Sequence, residues 1–318
     1  MDEPLLSISV TTYNHAPYIR QCLDGILMQK TTFPFEILIH DDASTDETAD
    51  IIREYEALYP DIIKPIYQTE NLYSRRLSIS REFQYSRVKG KYIALCEGDD
   101  YWIDHLKLQK QVDFLENNPN YSICGGRYWV MEDGKPDEMT ERDWMIKGMK
   151  KYPKGRTITL NDFFDDYLLW YLTTCFRSDI IQNLRKFYIE KDDVIFAFSL
   201  EMGKGFIFPD YFGVYRLHQG GIWAGIDYKK RKQSNQKMLK KMKPHFYNKS
   251  KSFRRWYYRD IIGLQFFNIT ESKQLFKDYW GMVKFTFSGS LDTFPYRIKY
   301  FIRDSFKYLF RLIRKKTV

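Results

Sequence analysis

Tyr92-Ile93-Ala94-Leu95-Cys96-Glu97-Gly98-Asp99-Asp100-Tyr101-Trp102 opens as an apolar run and ends in three carboxylates within four positions. The run reads as a strand. The acids after it repel one another at neutral pH unless a cation sits among them, so the cluster predicts a hard-metal site at a strand end and a phosphate-bearing substrate. The competing reading is a solvated acidic turn.

Working outward, Leu6-Ser7-Ile8-Ser9-Val10 predicts a first strand, and Tyr18, Ile19, Cys22, Leu23, Ile26 and Leu27 share one face of a following helix. Phe35 to Ile39 predicts a second strand. It runs into Asp41-Asp42-Ala43-Ser44-Thr45-Asp46-Glu47, where Ser44 and Glu47 have capping-box spacing for a helix carrying Ile51, Ile52, Tyr55 and Leu58. A strand around Ile63 to Tyr67 and a helix through Ile79 and Phe83 lead to the opening run. Alternating strands and helices predict an α/β fold with a mostly parallel, doubly wound sheet. Ligands of such sheets bind beyond the carboxyl ends of the strands, which collects Thr11 to Asn14, Asp41-Asp42 and Glu97 to Asp100 on one rim. Glu132 to Arg156, rich in Met, Lys, Gly and Pro, reads as a long loop or flap near that rim.

The chain has 318 residues, 44% of them hydrophobic, enough for one large domain and an appendage. Cys22, Cys96, Cys124 and Cys175 are far apart with no C-x-x-C spacing, which argues against a zinc site and a disulfide framework and favours a reducing, cytoplasmic location. Met1-Asp2-Glu3-Pro4 lacks the basic start of a secretory signal, and no apolar stretch approaches the length of a spanning helix. The net charge of +9 is unevenly shared: residues 226–318 carry 24 Lys+Arg against 6 Asp+Glu, leaving residues 1–225 net acidic. This shift predicts a domain over 1–225 and a basic, aromatic-rich helical region over 226–318.

Within that region Ile298, Phe301, Ile302, Phe306, Leu309, Leu312 and Ile313 fall on one side of a helical wheel, with Lys299, Arg303, Lys307, Arg311 and Arg314 on the other. The pattern predicts a helix lying in an anionic membrane surface. Lys229 to Lys232 and Phe253-Arg254-Arg255-Trp256-Tyr257-Tyr258 repeat the basic and aromatic mixture. Packing of the helices as a subdomain is the alternative. Nucleic acid is not an expected partner, because the acidic first part opposes it.

Val10-Thr11-Thr12-Tyr13-Asn14, Asp41-Asp42-Ala43-Ser44-Thr45-Asp46, Gly90-Lys91-Tyr92-Ile93-Ala94 and Glu97-Gly98-Asp99-Asp100-Tyr101-Trp102 together resemble the N-terminal half of family 2 glycosyltransferases with the GT-A fold, over roughly residues 5–225. The resemblance implies a Rossmann-like, mostly parallel sheet flanked by helices. It also implies a nucleotide-sugar donor, a UDP-sugar in the first instance, whose base is embraced by Thr11 and the Tyr13 ring and contacted by Asp42. Glu97-Gly98-Asp99 matches the family's D-x-D motif. Asp99 would then bind a Mg²⁺ or Mn²⁺ ion bridging the diphosphate, with Glu97 toward the ribose or the metal's waters and Asp100 as an additional ligand. Arg81 stands where the family often carries an arginine for the diphosphate.

Lys191-Asp192-Asp193-Val194-Ile195-Phe196 resembles the family's E-D motif. An inverting transfer needs one carboxylate to take the acceptor hydroxyl's proton, and Asp193 matches that position better than Asp192. Tyr215-Arg216-Leu217-His218-Gln219-Gly220-Gly221 resembles a segment that closes many such domains, with His218 as a metal or diphosphate ligand and the glycine pair as part of a lid. His15, His40, His105 and His245 read as structural, and Thr173-Thr174-Cys175-Phe176-Arg177 as the end of a strand beside the acceptor pocket. The implied activity is transfer to a glycan acceptor, lipid-linked given the basic tail, in surface polysaccharide synthesis. The expected place is the cytoplasm, peripheral on the inner face of the cell membrane. A nucleotidyltransferase of related architecture and a non-catalytic sugar-nucleotide-binding scaffold are the alternatives.

Overall fold

Four strands expected from apolar runs form in the computed structural model: β1 (Leu6–Thr12), β2 (Phe35–Asp41), β3 (Ile63–Tyr67) and β4 (Tyr92–Glu97). The structure describes residues 3–75, 77–132, 135, 138–186, 191–221, 227–271, 282–287 and 293–316. The four strands pair in parallel in the order β3-β2-β1-β4. The runs 6–10 and 92–96 are wholly buried, as continuous apolar strands at the centre of a parallel sheet must be. Helix α1 (Ile19–Leu27) buries Ile19, Cys22, Leu23 and Ile26, the face read from the sequence. Helix α2 (Thr48–Leu58) buries Ile51, Ile52 and Tyr55.

Past β4 the sheet continues through β8 (Cys175–Arg177), β6 (Tyr121–Glu132), β9 (Lys204–Leu217) and β5 (Tyr101–Trp102), while β7 (Arg156–Ile158) pairs with β9. β8 is antiparallel to both β4 and β6, and β6 and β9 are parallel. Two reversals around β8 leave β6 and β9 running in the sense of β4. The carboxyl end of β9 therefore arrives at the rim that carries the acids. Helices α3 (Lys107–Asn117), α4 (Asp143–Met149), α5 (Leu160–Asp166), α6 (Ile181–Lys186) and α7 (Asp192–Met202) complete this part.

Several local expectations are corrected. Ser44 is taken by the Asp41 carboxylate and Glu47 makes no side-chain cap, so the capping box at 44–47 does not form. Asp46 receives the Thr48 N–H at 3.0 Å and its hydroxyl at 2.5 Å instead. The helix expected through 79–83 is a single π-helical turn, Ser80–Gln84, seated by the Gln84 amide on the carbonyls of Val10 and Leu38. The stretch 132–156 is no plain loop: Thr140 bridges to Val130, and α4 buries Met145 and Met149. Two methionines on seven residues are too little periodicity to read. The segment 173–177 does end a strand, at Arg177, but that strand, β8, is only three residues long and starts at Cys175, straight after a 3₁₀ turn over Tyr171–Thr173.

The chain separates into two compact units, Met1–Gly221 and Ile222–Val318, against an expected boundary at 225. The second holds α8 (Tyr228–Phe246), α9 (Lys251–Glu271) and α10 (Phe294–Lys316). Phe253, Trp256, Tyr257 and Tyr258 are core residues of this unit, so their rings do not form the surface mixture the sequence suggested. On α10 the buried face is Arg297, Tyr300 and Asp304, while Ile302 is 49% exposed. Arg297 lies over the Tyr258 ring, and Arg303 grips Asp304 through two hydrogen bonds. Phe306, Leu309, Leu312 and Ile313 have side chains outside the described residues. Among the described residues no helix is long and apolar enough to cross a membrane.

Candidate active site

The acidic loop is a tight turn off the end of β4. The Gly98 N–H donates to the Thr11 carbonyl at 3.0 Å, and the Asp100 N–H to the Glu97 carbonyl at 3.1 Å. A Cβ on Gly98 would lie 2.8 Å from the Thr12 Cβ and 3.0 Å from His15 Nδ1, so the middle position admits no side chain unless β1 moves. Asp99 Oδ2 lies 3.0 Å from His218 Nε2 and 3.7 Å from His15 Nε2. His15 Nδ1 is in turn 3.2 Å from the Thr12 hydroxyl. Asp99 Oδ1 is buried with no hydrogen-bond partner among the described residues.

Among the described residues, two donor groups meet at Asp99. His15, Asp99 and His218 form one, and Glu97, Asp99 and Asp100 the other, each with ligand atoms within 4.8 Å of one another. An unpartnered buried carboxylate oxygen costs roughly 1–3 kcal/mol, a penalty that a coordinated cation removes. Mixed carboxylate and imidazole donors suit Mn²⁺, and the carboxylates suit Mg²⁺. The residues therefore fit the divalent ion implied by the D-x-D resemblance.

The electrostatics agree. Burial, then Asp99 and Asp192, push the Glu97 carboxyl well above its ordinary range. Burial, Asp99 and Glu97 do the same to Asp100. Burial also acts against Asp99, but its hydrogen bond to His218 and the His15 and His218 charges outweigh that and hold it low. Without a cation the cluster concentrates its negative charge on Asp99. Burial keeps the His15 imidazole below its usual value despite Asp99.

Arg216, the residue before the last of β9, locks this loop. Its N–H donates to Asp100 Oδ1 at 2.9 Å, and its guanidinium donates to the Asp99 carbonyl at 2.6 Å and to the Gln21 side chain. The same guanidinium lies 4.5 Å from the Tyr101 ring centre and 5.1 Å from that of Tyr18. His15 and Arg216 escaped the sequence reading. His15 looked like a lone histidine, and the only pointer was its place three residues after Thr12. Arg216 stood inside a quoted motif without a role.

On the neighbouring strands, Thr11 pairs with His40 and Glu97 across the sheet, and Tyr13 is 41% exposed beyond the end of β1. Asp42 is buried and its two oxygens accept from the N–H groups of Leu72 at 2.8 Å and Tyr73 at 3.0 Å. Asp42 thus pins the loop at Leu72 and Tyr73, and each of its oxygens keeps a further lone pair. The side chain of Arg81 lies outside the described residues.

Asp192 and Asp193 form the first turn of α7, where the helix dipole favours their charge. Asp193 is buried, and the Tyr167 hydroxyl hydrogen-bonds to it. Burial, then Asp193, push Asp192 up to about 7, against the opposing charge of Lys191. Asp192 is within electrostatic reach of Glu97, which brings the α7 pair to the side of the acidic loop.

Asp192 carries a testable stability cost. Its folded value of about 7 lies above the ordinary aspartate value of 3.8, so folding takes up a proton between the two, and stability is lost as pH rises through that window. Asp192→Asn removes the penalty. Because Asp192 as a residue is not fully buried, solvent screening reduces the penalty, and the variant is expected to be more stable than the parent at pH 8 by about 1–3 kcal/mol, with the gain vanishing near pH 4. Denaturant melts at the two pH values check this.

A family model described as Glycosyl transferase family 2 matches residues 7–189. An uncharacterized protein of Mycobacterium tuberculosis strain H37Rv is 35% identical over 222 residues, which cover 69% of this chain and 60% of that protein. The chain thus spans about three fifths of the length of the first curated relatives it matches. WfaP of Escherichia coli, named as a UDP-Glc:alpha-D-GlcNAc-diphosphoundecaprenol beta-1,3-glucosyltransferase, is 26% identical over 73% of this chain and 84% of its own. Among solved structures, S. aureus TarS 1-349 in complex with UDP-GlcNAc superposes with a TM-score of 0.59 at 14% identity, covering 94% of this chain and 81% of that one. At that identity the likeness carries the fold alone, which is GT-A.

Proposed function

The chain belongs to glycosyl transferase family 2, and on that premise we propose that it is a metal-dependent inverting glycosyltransferase. It moves a sugar from a nucleotide-sugar, a UDP-sugar in the first instance, to a hydroxyl of a lipid-linked glycan acceptor in surface polysaccharide synthesis. One observation carries the reading: two acidic centres, Asp99 with its histidines after β4 and Asp192-Asp193 at the start of α7, lie within electrostatic reach on one rim. One centre suits a diphosphate through a cation and the other suits a hydroxyl proton. The named activity of WfaP supports the lipid-linked acceptor and the UDP donor.

Asp99, with His218, His15, Glu97 and Asp100 around it, would hold Mg²⁺ or Mn²⁺, which as a Lewis acid stabilises charge on a departing diphosphate. Thr11, Tyr13 and Asp42 form the base-facing edge, with Arg81 toward the diphosphate. Arg216 keeps Asp99 and Asp100 in place as the site loads. Asp193, oriented by the Tyr167 hydroxyl, takes the proton of the acceptor hydroxyl. The acceptor oxygen then bonds the anomeric carbon from the face opposite the leaving group. The bond from that carbon to the diphosphate breaks, and its electron pair leaves on the nucleoside diphosphate.

Incubation of the protein with UDP-glucose, UDP-GlcNAc and GDP-mannose, each with and without Mn²⁺, tests the reading. Metal-dependent release of a nucleoside diphosphate is the expected product. Pyrophosphate release from a nucleoside triphosphate would identify a nucleotidyltransferase, and no release from any donor would leave a scaffold.

The second unit, in this reading, holds the protein on the inner face of the cell membrane. Its 24 Lys+Arg against 6 Asp+Glu over 226–318 supply the charge, and Phe287 at 56% and Ile302 at 49% exposure supply apolar contacts. Each cation near an anionic leaflet contributes about 1 kcal/mol. The full chain is expected to sediment with vesicles containing phosphatidylglycerol, and less so when both Phe287 and Ile302 are replaced by Asp. Equal binding by the double variant, or equal binding to neutral vesicles, rejects this assignment.

A further inference from the structure

Between the two acidic centres stands a group of aromatic rings that core packing does not account for. Trp144 on α4, Tyr167 just past α5, Trp170 ahead of the 3₁₀ turn and Tyr215 on β9 are each only half-buried. Trp170 is central, with ring centres 5.9 Å from Trp144, 6.3 Å from Tyr167 and 5.4 Å from Tyr215. Tyr128, fully buried, stacks against Trp170 at 5.1 Å and braces it from the sheet side. Four neighbouring rings left partly in water form the kind of patch that marks a binding surface.

Its two ends fix its place. At one end Tyr167 hydrogen-bonds to Asp193 and holds φ 53° and ψ 56°, a left-handed conformation that a bulky side chain adopts only at a cost. At the other end Tyr215 is within electrostatic reach of Asp100, Glu97 and Asp99. The patch therefore runs from the residue assigned to the acceptor proton to the residues assigned to the diphosphate. Tyr13 and Asp42, assigned to the base, lie past the ends of β1 and β2 on other strands.

We propose that Trp144, Tyr167, Trp170 and Tyr215 form the acceptor subsite, which takes a pyranose ring of a saccharide by stacking its C–H face on the indoles. This rests on the transferase reading above. A pyranose offers an apolar C–H face to the electron-rich face of an aromatic ring, while its edge hydroxyls remain free to hydrogen-bond. Seated on Trp170, a sugar has one edge toward Asp193. Tyr167 acts as a positioning residue for that carboxylate, and its strained backbone keeps the hydroxyl on it.

The test uses Trp144→Leu, Trp170→Leu and the milder Trp170→Phe in the full chain, with octyl β-D-glucoside and octyl N-acetyl-β-D-glucosaminide as acceptor probes and the donors named above. Each leucine variant is expected to raise the KM for the glycoside several-fold to about tenfold, with the KM for the donor moving little and Trp170→Phe recovering most of the loss. An unchanged glycoside KM in all three variants overturns the assignment, as does an equal rise in donor KM. So does a wild-type protein that turns over a donor yet transfers to neither glycoside. A wild-type protein that releases no nucleoside diphosphate from any donor is a different failure, that of the transferase reading, and the subsite falls with it.

Discussion

Asp99→Ala is expected to lower sugar transfer by about a thousandfold or more and to remove the Mn²⁺ dependence of donor binding. Asp99 is the one residue shared by both donor groups, and its Oδ1 is a buried oxygen with no hydrogen-bond partner among the described residues. Removing it takes the central ligand from between two histidines and two carboxylates. Losing several kcal/mol of leaving-group stabilisation corresponds to roughly three factors of ten in rate. The fold should survive, because the loop is also held by the Gly98 and Asp100 backbone bonds and by Arg216. Calorimetric titration of UDP with and without Mn²⁺, beside a melting curve, separates loss of the site from loss of structure. A variant that keeps more than a tenth of parental turnover, or still binds donor in a metal-dependent way, would sink the assignment.

The second large effect is expected at Asp193→Asn. General base catalysis contributes about 10²–10⁴ in rate, and an amide cannot take the acceptor's proton. Donor affinity should change little, since Asp193 sits at α7 and not in the acidic loop. The neighbouring carboxylate supplies a control. Asp192 titrates near 7, so a transfer rate that rises with pH through that value and is lost in Asp192→Asn would move the base role to Asp192. Asp193→Asn at full turnover would reject the mechanism as assigned.

How much of this the sequence disclosed follows from physical scale. β1, β2 and β4 were legible because strands buried on both faces are continuous apolar runs, and α1 because its apolar spacing is regular. The acidic loop was legible because close carboxylates are costly and therefore conspicuous. α4 escaped because a seven-residue helix with two buried methionines leaves almost no period. Ser44 misled because a local spacing rule lost to a carboxylate three residues earlier. His15, Arg216 and the aromatic patch escaped for a different reason. Their roles depend on partners 84 to 195 positions away or on the return of β9 to the rim, which no local pattern records.

The pairing of Asp99 with His218 also fixes an order of events in the making of the protein. The partners are 119 residues apart, and the strand that delivers His218 is the last one of the sheet. A chain elongating at about 5–20 residues per second leaves Asp99 without that imidazole for on the order of ten seconds after it has been synthesised. During that interval β1 to β4 can already pair, while the carboxylates of the acidic loop have only His15 beside them. The newborn half-sheet is therefore an open anionic turn, and it becomes a closed pocket only when the final strand docks.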